Sequence, residues 1–126
     1  MQVVVLTHGI RSTSSMADTS LKTVGQLISR TGETTVYTCP AHFNSVIRTL
    51  YINNSHTSAV DVSVKIVLSS VSLPVLTKHS LDADAVLDVL ATSPVALKAS
   101  DTIIITAGNA NSLNIIVTLE ETLTGS

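Results

Sequence analysis

A chain of 126 residues is long enough to enclose one hydrophobic core without help from disulfides or a structural metal. Hydrophobic residues make up 44% of it but aromatics only 2%, with no Trp, so that core has to be aliphatic. Charged residues reach 13% with a net charge of −2, and the basic ones (Arg11, Lys22, Arg30, Arg48, Lys65, Lys78, Lys98) are scattered, which excludes the clustered Lys and Arg that a nucleic-acid partner requires.

Val, Ile and Thr supply about a third of the residues, and these β-branched side chains suit a pleated surface better than a helix. The chain opens with the apolar run Gln2–Leu6, then His8-Gly9-Ile10-Arg11 and the polar stretch Ser12-Thr13-Ser14-Ser15. Residues 1–17 therefore read as an N-terminal arm, and residues 18–126 as a single domain. Within the arm, Gln2, Val3, Val4, Val5, Leu6 and Thr7 are expected to add a strand to a sheet edge, in their own subunit or a neighbour's. Val3-Val4-Val5-Leu6 falls short of the ~7–15 apolar residues of a signal-peptide core. No run reaches the ~18 apolar residues of a membrane span, so no membrane partner is expected.

Further on, Thr34–Cys39 reads as a strand closed by Pro40, and Ser45–Ile52 as another, ending at the turn cluster Asn53–Ser58. Val60, Val62, Val64, Ile66 and Leu68 alternate with Asp61, Ser63, Lys65, Val67 and Ser69, a period of two that marks one buried face. Pro74 opens a weaker strand over Val75–Lys78, and Ala85–Leu90 reads as the strand that follows a loop. Thr102–Thr106 and Leu113–Glu120, joined by Ala107-Gly108-Asn109-Ala110-Asn111, predict a closing hairpin. About 7–8 short strands with turns every ~8–12 residues give an all-β fold, an antiparallel two-sheet β-sandwich of jelly-roll-like type carrying an N-terminal arm.

No reactive constellation emerges. Thr7-His8-Gly9 after a short strand resembles an oxyanion loop of α/β-hydrolases, but no Gly-x-Ser-x-Gly nucleophile elbow follows it. His8, His42, His56 and His79 lack the spacing that puts two imidazoles on one metal, and Asp82, Asp84 and Asp88 lack a Gly-bearing cation loop. Glu120 and Glu121 are adjacent on a strand, so they point to opposite faces and cannot work as an acid–base pair. Cys39 has no Lys, Arg or His within two residues to stabilise a thiolate and reads as a small buried hydrophobe. Tyr37, Phe43 and Tyr51, shared between core and surface, leave few rings for a sugar platform, and glycan binding stands as the alternative reading. The expectation is no catalytic, cofactor-binding or metal site.

Leu21-Lys22-Thr23-Val24-Gly25-Gln26, Val36-Tyr37-Thr38-Cys39-Pro40, Ile52-Asn53-Asn54, Leu97-Lys98-Ala99-Ser100-Asp101-Thr102-Ile103 and Ala110-Asn111-Ser112-Leu113-Asn114-Ile115 together resemble small virion proteins of tailed bacteriophages, including cyanophages. The resemblance covers about four-fifths of the chain and rests on strand and turn punctuation. It implies a β-sandwich present in many copies per particle: a capsid cement or decoration subunit, or a neck, tail or fibre component. It also implies a homotrimer whose partners are itself, the major capsid protein or other virion proteins, located in the virion after assembly in the bacterial cytoplasm. Two features depart from the pattern: the first 17 residues, and Cys39 where an aliphatic residue is more usual.

Overall fold

The computed structural model describes residues 4–9, 19–90 and 93–124. These form ten strands and no helix: β1 (Val4–Gly9), β2 (Thr19–Ile28), β3 (Glu33–Thr38), β4 (Phe43–Asn54), β5 (Val60–Leu68), β6 (Val71–Leu81), β7 (Val86–Asp88), β8 (Val95–Leu97), β9 (Thr102–Ala107) and β10 (Leu113–Leu123). The all-β sandwich is as expected, with more strands than the 7–8 anticipated. β7 falls within the strand expected over Ala85–Leu90, while β8, three residues long, is too brief to show any periodicity of its own.

One sheet runs β1-β2-β10-β4-β7, with β8 sharing the outer edge of β4; the other runs β3-β9-β5-β6, and every pairing is antiparallel. Alternate residues of each inner strand face the space between the sheets. Ile103 and Ile105 of β9, Val62 and Val64 of β5, and Ile115 and Val117 of β10 are all at most 1% exposed. Tyr37 and Cys39 apart, the buried hydrophobics are aliphatic, which follows from a sequence with so few rings.

The closing segment departs from the expected hairpin. β9 pairs with β3 and β5, while β10 pairs with β2 and β4, so the intervening turn crosses from one sheet to the other. Both strands alternate with period two because both bury one face in the same core, and that pattern is identical for strands paired side by side and strands stacked across a sandwich. Backbone contacts fix the crossing: Gly108 N donates to Asp61 O (2.8 Å) and Asn111 N to Ile28 O (2.9 Å). A Cβ on Gly108 would stand 3.2 Å from Asp61 N, a tight contact with the backbone of β5 that glycine avoids.

The true tight hairpin is β5–β6, joined by Ser69 and Ser70, both left-handed (φ 50° and 68°) as a two-residue primed turn demands. Pro74 does not open β6 but sits inside it, tolerated because β6 is the free edge of its sheet and one side of its backbone needs no ladder donor. Asp101 holds this corner: its buried carboxylate accepts Ser69 N and Lys98 N, both at 2.9 Å.

Two bulges adjust what faces inward. On β4, Arg48 is the extra residue where the register against β10 slips at Thr118/Leu119, which lets Ile47 and Leu50 both point into the core. On β3, the slip between Thr35 and Tyr37 does the same for Val36 and Tyr37, both buried.

Candidate interaction surface

Tyr37, Cys39, Ser45, Glu121 and Lys22 form one bonded group between the sheets. Tyr37 reaches from β3 across to the other sheet, where its hydroxyl donates to Glu121 Oε2 (2.5 Å). A carboxylate only accepts, so the second contact of Tyr37, with Ser45 Oγ at 2.6 Å, has Ser45 as donor. Cys39 Sγ lies 3.2 Å from Ser45 Oγ and 3.4 Å from the Phe43 carbonyl, leaving its thiol proton to those two acceptors. Lys22 closes the group, with Nζ 3.4 Å from Glu121 Oε2 and 5.5 Å from the centre of the Tyr37 ring. Burial first, and then the bond to Glu121, push the Tyr37 hydroxyl well above the ordinary tyrosine range.

This node ties β3 to β2, β4 and β10. Tyr37, Cys39, Ser45 and Glu121 are all buried. Glu120 and Glu121 do point apart, as their adjacency requires: Glu121 inward to the node, Glu120 outward to Arg48 at 2.8 Å. Among the described residues no three or more His, Cys, Asp or Glu are grouped to hold a metal ion. No helix of the described residues is long and apolar enough to cross a membrane.

The outer faces of the two sheets differ in chemistry. On the β3-β9-β5-β6 sheet, outward positions carry Thr35, Ser63, Lys65, Thr102, Ile104 and Thr106, with Lys65 paired to Glu33 at 2.6 Å. Two shallow recesses lie there, one lined by Lys65, Pro74 and Ile104, the other by Asp61, Lys78 and Gly108. On the other sheet, the register lays out cross-strand rows of outward residues. One row is Leu27–Asn114–Asn53–Val86, the next Gly25–Ile116–Tyr51–Asp88, then Thr23–Thr118–Thr49, then Leu21–Glu120–Val46–Ala96. Leu27 (36% exposed), Tyr51 (38%), Ile116 (49%) and Val86 (63%) give this face an apolar middle. Asn114 Nδ2 donates to Asn53 Oδ1 (3.3 Å) and Asn53 Nδ2 to the Ala85 carbonyl (3.3 Å), so the amides inside the patch bond mainly within the chain.

The strand Val4–Gly9 borders this face, paired with Ser20–Gly25 of β2 in the same chain. Gln2 and Val3, the first two residues of the expected strand, lie outside the described residues, as does the polar stretch 10–18. Of the three rings, Tyr37 is buried, Phe43 is half-buried and Tyr51 is exposed. The apolar face itself was not anticipated from the sequence. Its signal was Ile116, which stands on the polar phase of β10 between Asn114 and Thr118.

No protein-family model matches the chain, and no curated protein does. Similarity appears among solved structures. The VP2 subviral particle protein of infectious bursal disease virus superposes with a TM-score of 0.50 at 11% identity, over 90% of this chain and 34% of that one, so the chain spans about a third of that protein. A capsid protein of a Helicobacter pylori bacteriophage matches with a TM-score of 0.49 at 10% identity, over 95% of both chains. A pilus protein of Bacillus endospore appendages matches with a TM-score of 0.48 at 12% identity, over 100% of this chain and 93% of that one. At 11% identity the likeness to the VP2 protein concerns the fold alone, and the strand pairing makes that fold an antiparallel β-sandwich.

Proposed function

We propose that the protein is a structural subunit of a tailed-phage virion, a capsid cement or decoration protein that works through protein–protein contacts and has no catalytic role. The observation that carries this reading is the outer face of the β1-β2-β10-β4-β7 sheet. It is apolar in the middle, and its one described ion pair, Arg48–Glu120, is neutralised within the chain. Such a face favours permanent packing over solvation. The resemblance of the sequence to phage virion proteins and the sandwich fold shared with capsid proteins support the same reading. Itself, as a homotrimer, and the major capsid protein are the partners it implies, with the mature virion as its location.

In this reading the segment Gln2–Thr7 is an interface element that secures the edge of β2 within the subunit or across to a neighbour. The test is reconstitution of particles that lack the protein, with occupancy measured by quantitative gel densitometry and cryo-EM. Deleting residues 1–15 is expected to lower occupancy while circular dichroism still reports a folded sandwich. Undiminished occupancy by the truncated protein would show that the arm plays no part. A glycan-binding role at a tail or fibre tip has only the exposed ring of Tyr51 beside Asn53 and Asn114 in its favour, and positive hits on a glycan array would move the assignment there.

A further inference from the structure

An unpaired strand edge presents backbone N–H and C=O groups that a further strand can bond, and each sheet of a sandwich has two such margins. Among the described residues three of the four are guarded. β6 carries Pro74, two register slips against β5 and Lys78 in a left-handed conformation (φ 47°). β3 is bent by its bulge and opens on the charged Glu33. The outer edge of β4 is covered by β7 and β8, three residues each and too short to continue a ladder. β1 has none of these devices. It ends the strand order of its sheet, its six residues pair with Ser20–Gly25 without a slip, and Val4–Gly9 contains no Pro, Asp, Glu, Lys or Arg.

We propose that the free edge of β1 pairs antiparallel with β1 of a second copy, about a two-fold axis between Leu6 and Thr7. This rests on the reading that the protein acts by protein–protein contact, and it names the surface, the partner and the register.

The occupant follows by elimination. A free edge is completed by another strand whose own edge is free and regular. In this sandwich the interior strands are bonded on both sides and β3, β6, β7 and β8 are guarded, so the strand a second copy can offer is β1. The direction follows from charge and from hydrogen bonding. The nearest charged residue in the sequence is Arg11, beyond the C-terminal end of β1. Parallel pairing would set two copies of Arg11 side by side, and antiparallel pairing sends them to opposite ends. Six residues present about three N–H and three C=O groups on the free side, so two antiparallel copies exchange about six backbone hydrogen bonds. Main-chain bonding of this kind holds a partner without a large apolar area.

Like paired with like is isologous, so the contact closes after two copies and does not propagate into a fibre. The axis stands normal to the sheet. Two five-strand orders become one of ten, about the limit for a twisted open sheet, and their apolar outer faces lie on the same side. The contact is small, which suits subunits held close together on a particle better than dilute protein.

Pulsed EPR on the full chain, with a nitroxide on Val4→Cys, Leu6→Cys or His8→Cys in turn, tests the register; Cys39 is buried and stays unlabelled. Moving the label one residue away from the axis lengthens the separation between copies by about 6.6 Å, because both labels move. The separation should therefore be shortest at Leu6 and longer at both Val4 and His8. Sedimentation up to the millimolar range should show monomers passing to dimers. Leu6→Lys sets like charges beside the axis and is expected to weaken the dimer at least tenfold, while Thr106→Lys on the opposite sheet leaves it unchanged. Hydrogen exchange should find Ser20–Gly25 still protected in Leu6→Lys, which shows β1 in place on β2; if that protection is lost, the EPR profile decides. A separation equal at all three labelled positions overturns the pairing, as does a dimer of undiminished strength in Leu6→Lys. A wild-type protein that is monomeric throughout yet loads onto capsids would sink this inference and leave the virion role standing. A dimer with the expected EPR profile that ignores capsid and tail proteins would do the reverse.

Discussion

Replacing Tyr37 by Phe removes one oxygen from the node that joins the two sheets, and the structure sets the expected loss. The hydroxyl donates to a carboxylate at 2.5 Å and accepts from Ser45 at 2.6 Å. A hydrogen bond to a charged group contributes ~1.5–3 kcal/mol and a neutral one ~0.5–1.5 kcal/mol. Glu121 is buried and would keep only the Lys22 contact at 3.4 Å, while Ser45 would have lost its acceptor. The summed cost is about 2–4 kcal/mol. For 126 residues, at ~3–5 °C per kcal/mol, that lowers Tm by about 6–20 °C. Chemical denaturation at neutral pH, with an unchanged m-value, is the primary assay. The pH dependence provides a second reading with a fixed sign. The hydroxyl is held well above its ordinary value by burial and then by the Glu121 bond. Below pH ~10 both folded and unfolded chains keep the proton, and the contribution is complete. As pH rises past ~10 the unfolded chain releases the proton that the folded one retains, so wild-type stability should fall by up to ~1.4 kcal/mol per pH unit from this residue. The Phe variant lacks that component, and the gap between the two proteins should narrow in alkali. A loss below ~0.5 kcal/mol at neutral pH, or a gap constant from pH 7 to 11, would refute the role given to the node.

Three other substitutions separate buried from exposed polar contacts. Asp101→Ala should cost about 3 kcal/mol, because two backbone donors at the β5–β6 and β8–β9 corners lose their acceptor, and urea denaturation would show it. Gly108→Ala should cost about 1–2 kcal/mol in a thermal melt, since the new methyl meets the backbone of Asp61 and not a movable side chain. Arg48→Ala should stay within ~0.5 kcal/mol of wild type in the same melt, because its partner Glu120 is solvent-exposed enough for water to replace the ion pair.

The sequence by itself determined the all-β class, the aliphatic core and the phase of the inner strands. Each of these depends on residue type and on a period of two that any buried strand face imposes, as in Val60–Leu68 and Leu113–Glu120. Only the tertiary structure decided which strands are neighbours. The apolar run of β9 and the alternation of β10 state that each has a buried side but not which backbone lies beside it, so a sheet crossing and a hairpin read alike until hydrogen bonds are seen. The same limit hid the node and the apolar face. Tyr37 and Glu121 are 84 residues apart and meet only across the sandwich. Ile116 stands out on the polar phase of its strand, but Tyr51, Leu27 and Val86 come from three other strands, and register gathers the four onto one surface. Period fixes the side a residue faces; partnership depends on long-range pairing, which local pattern does not encode.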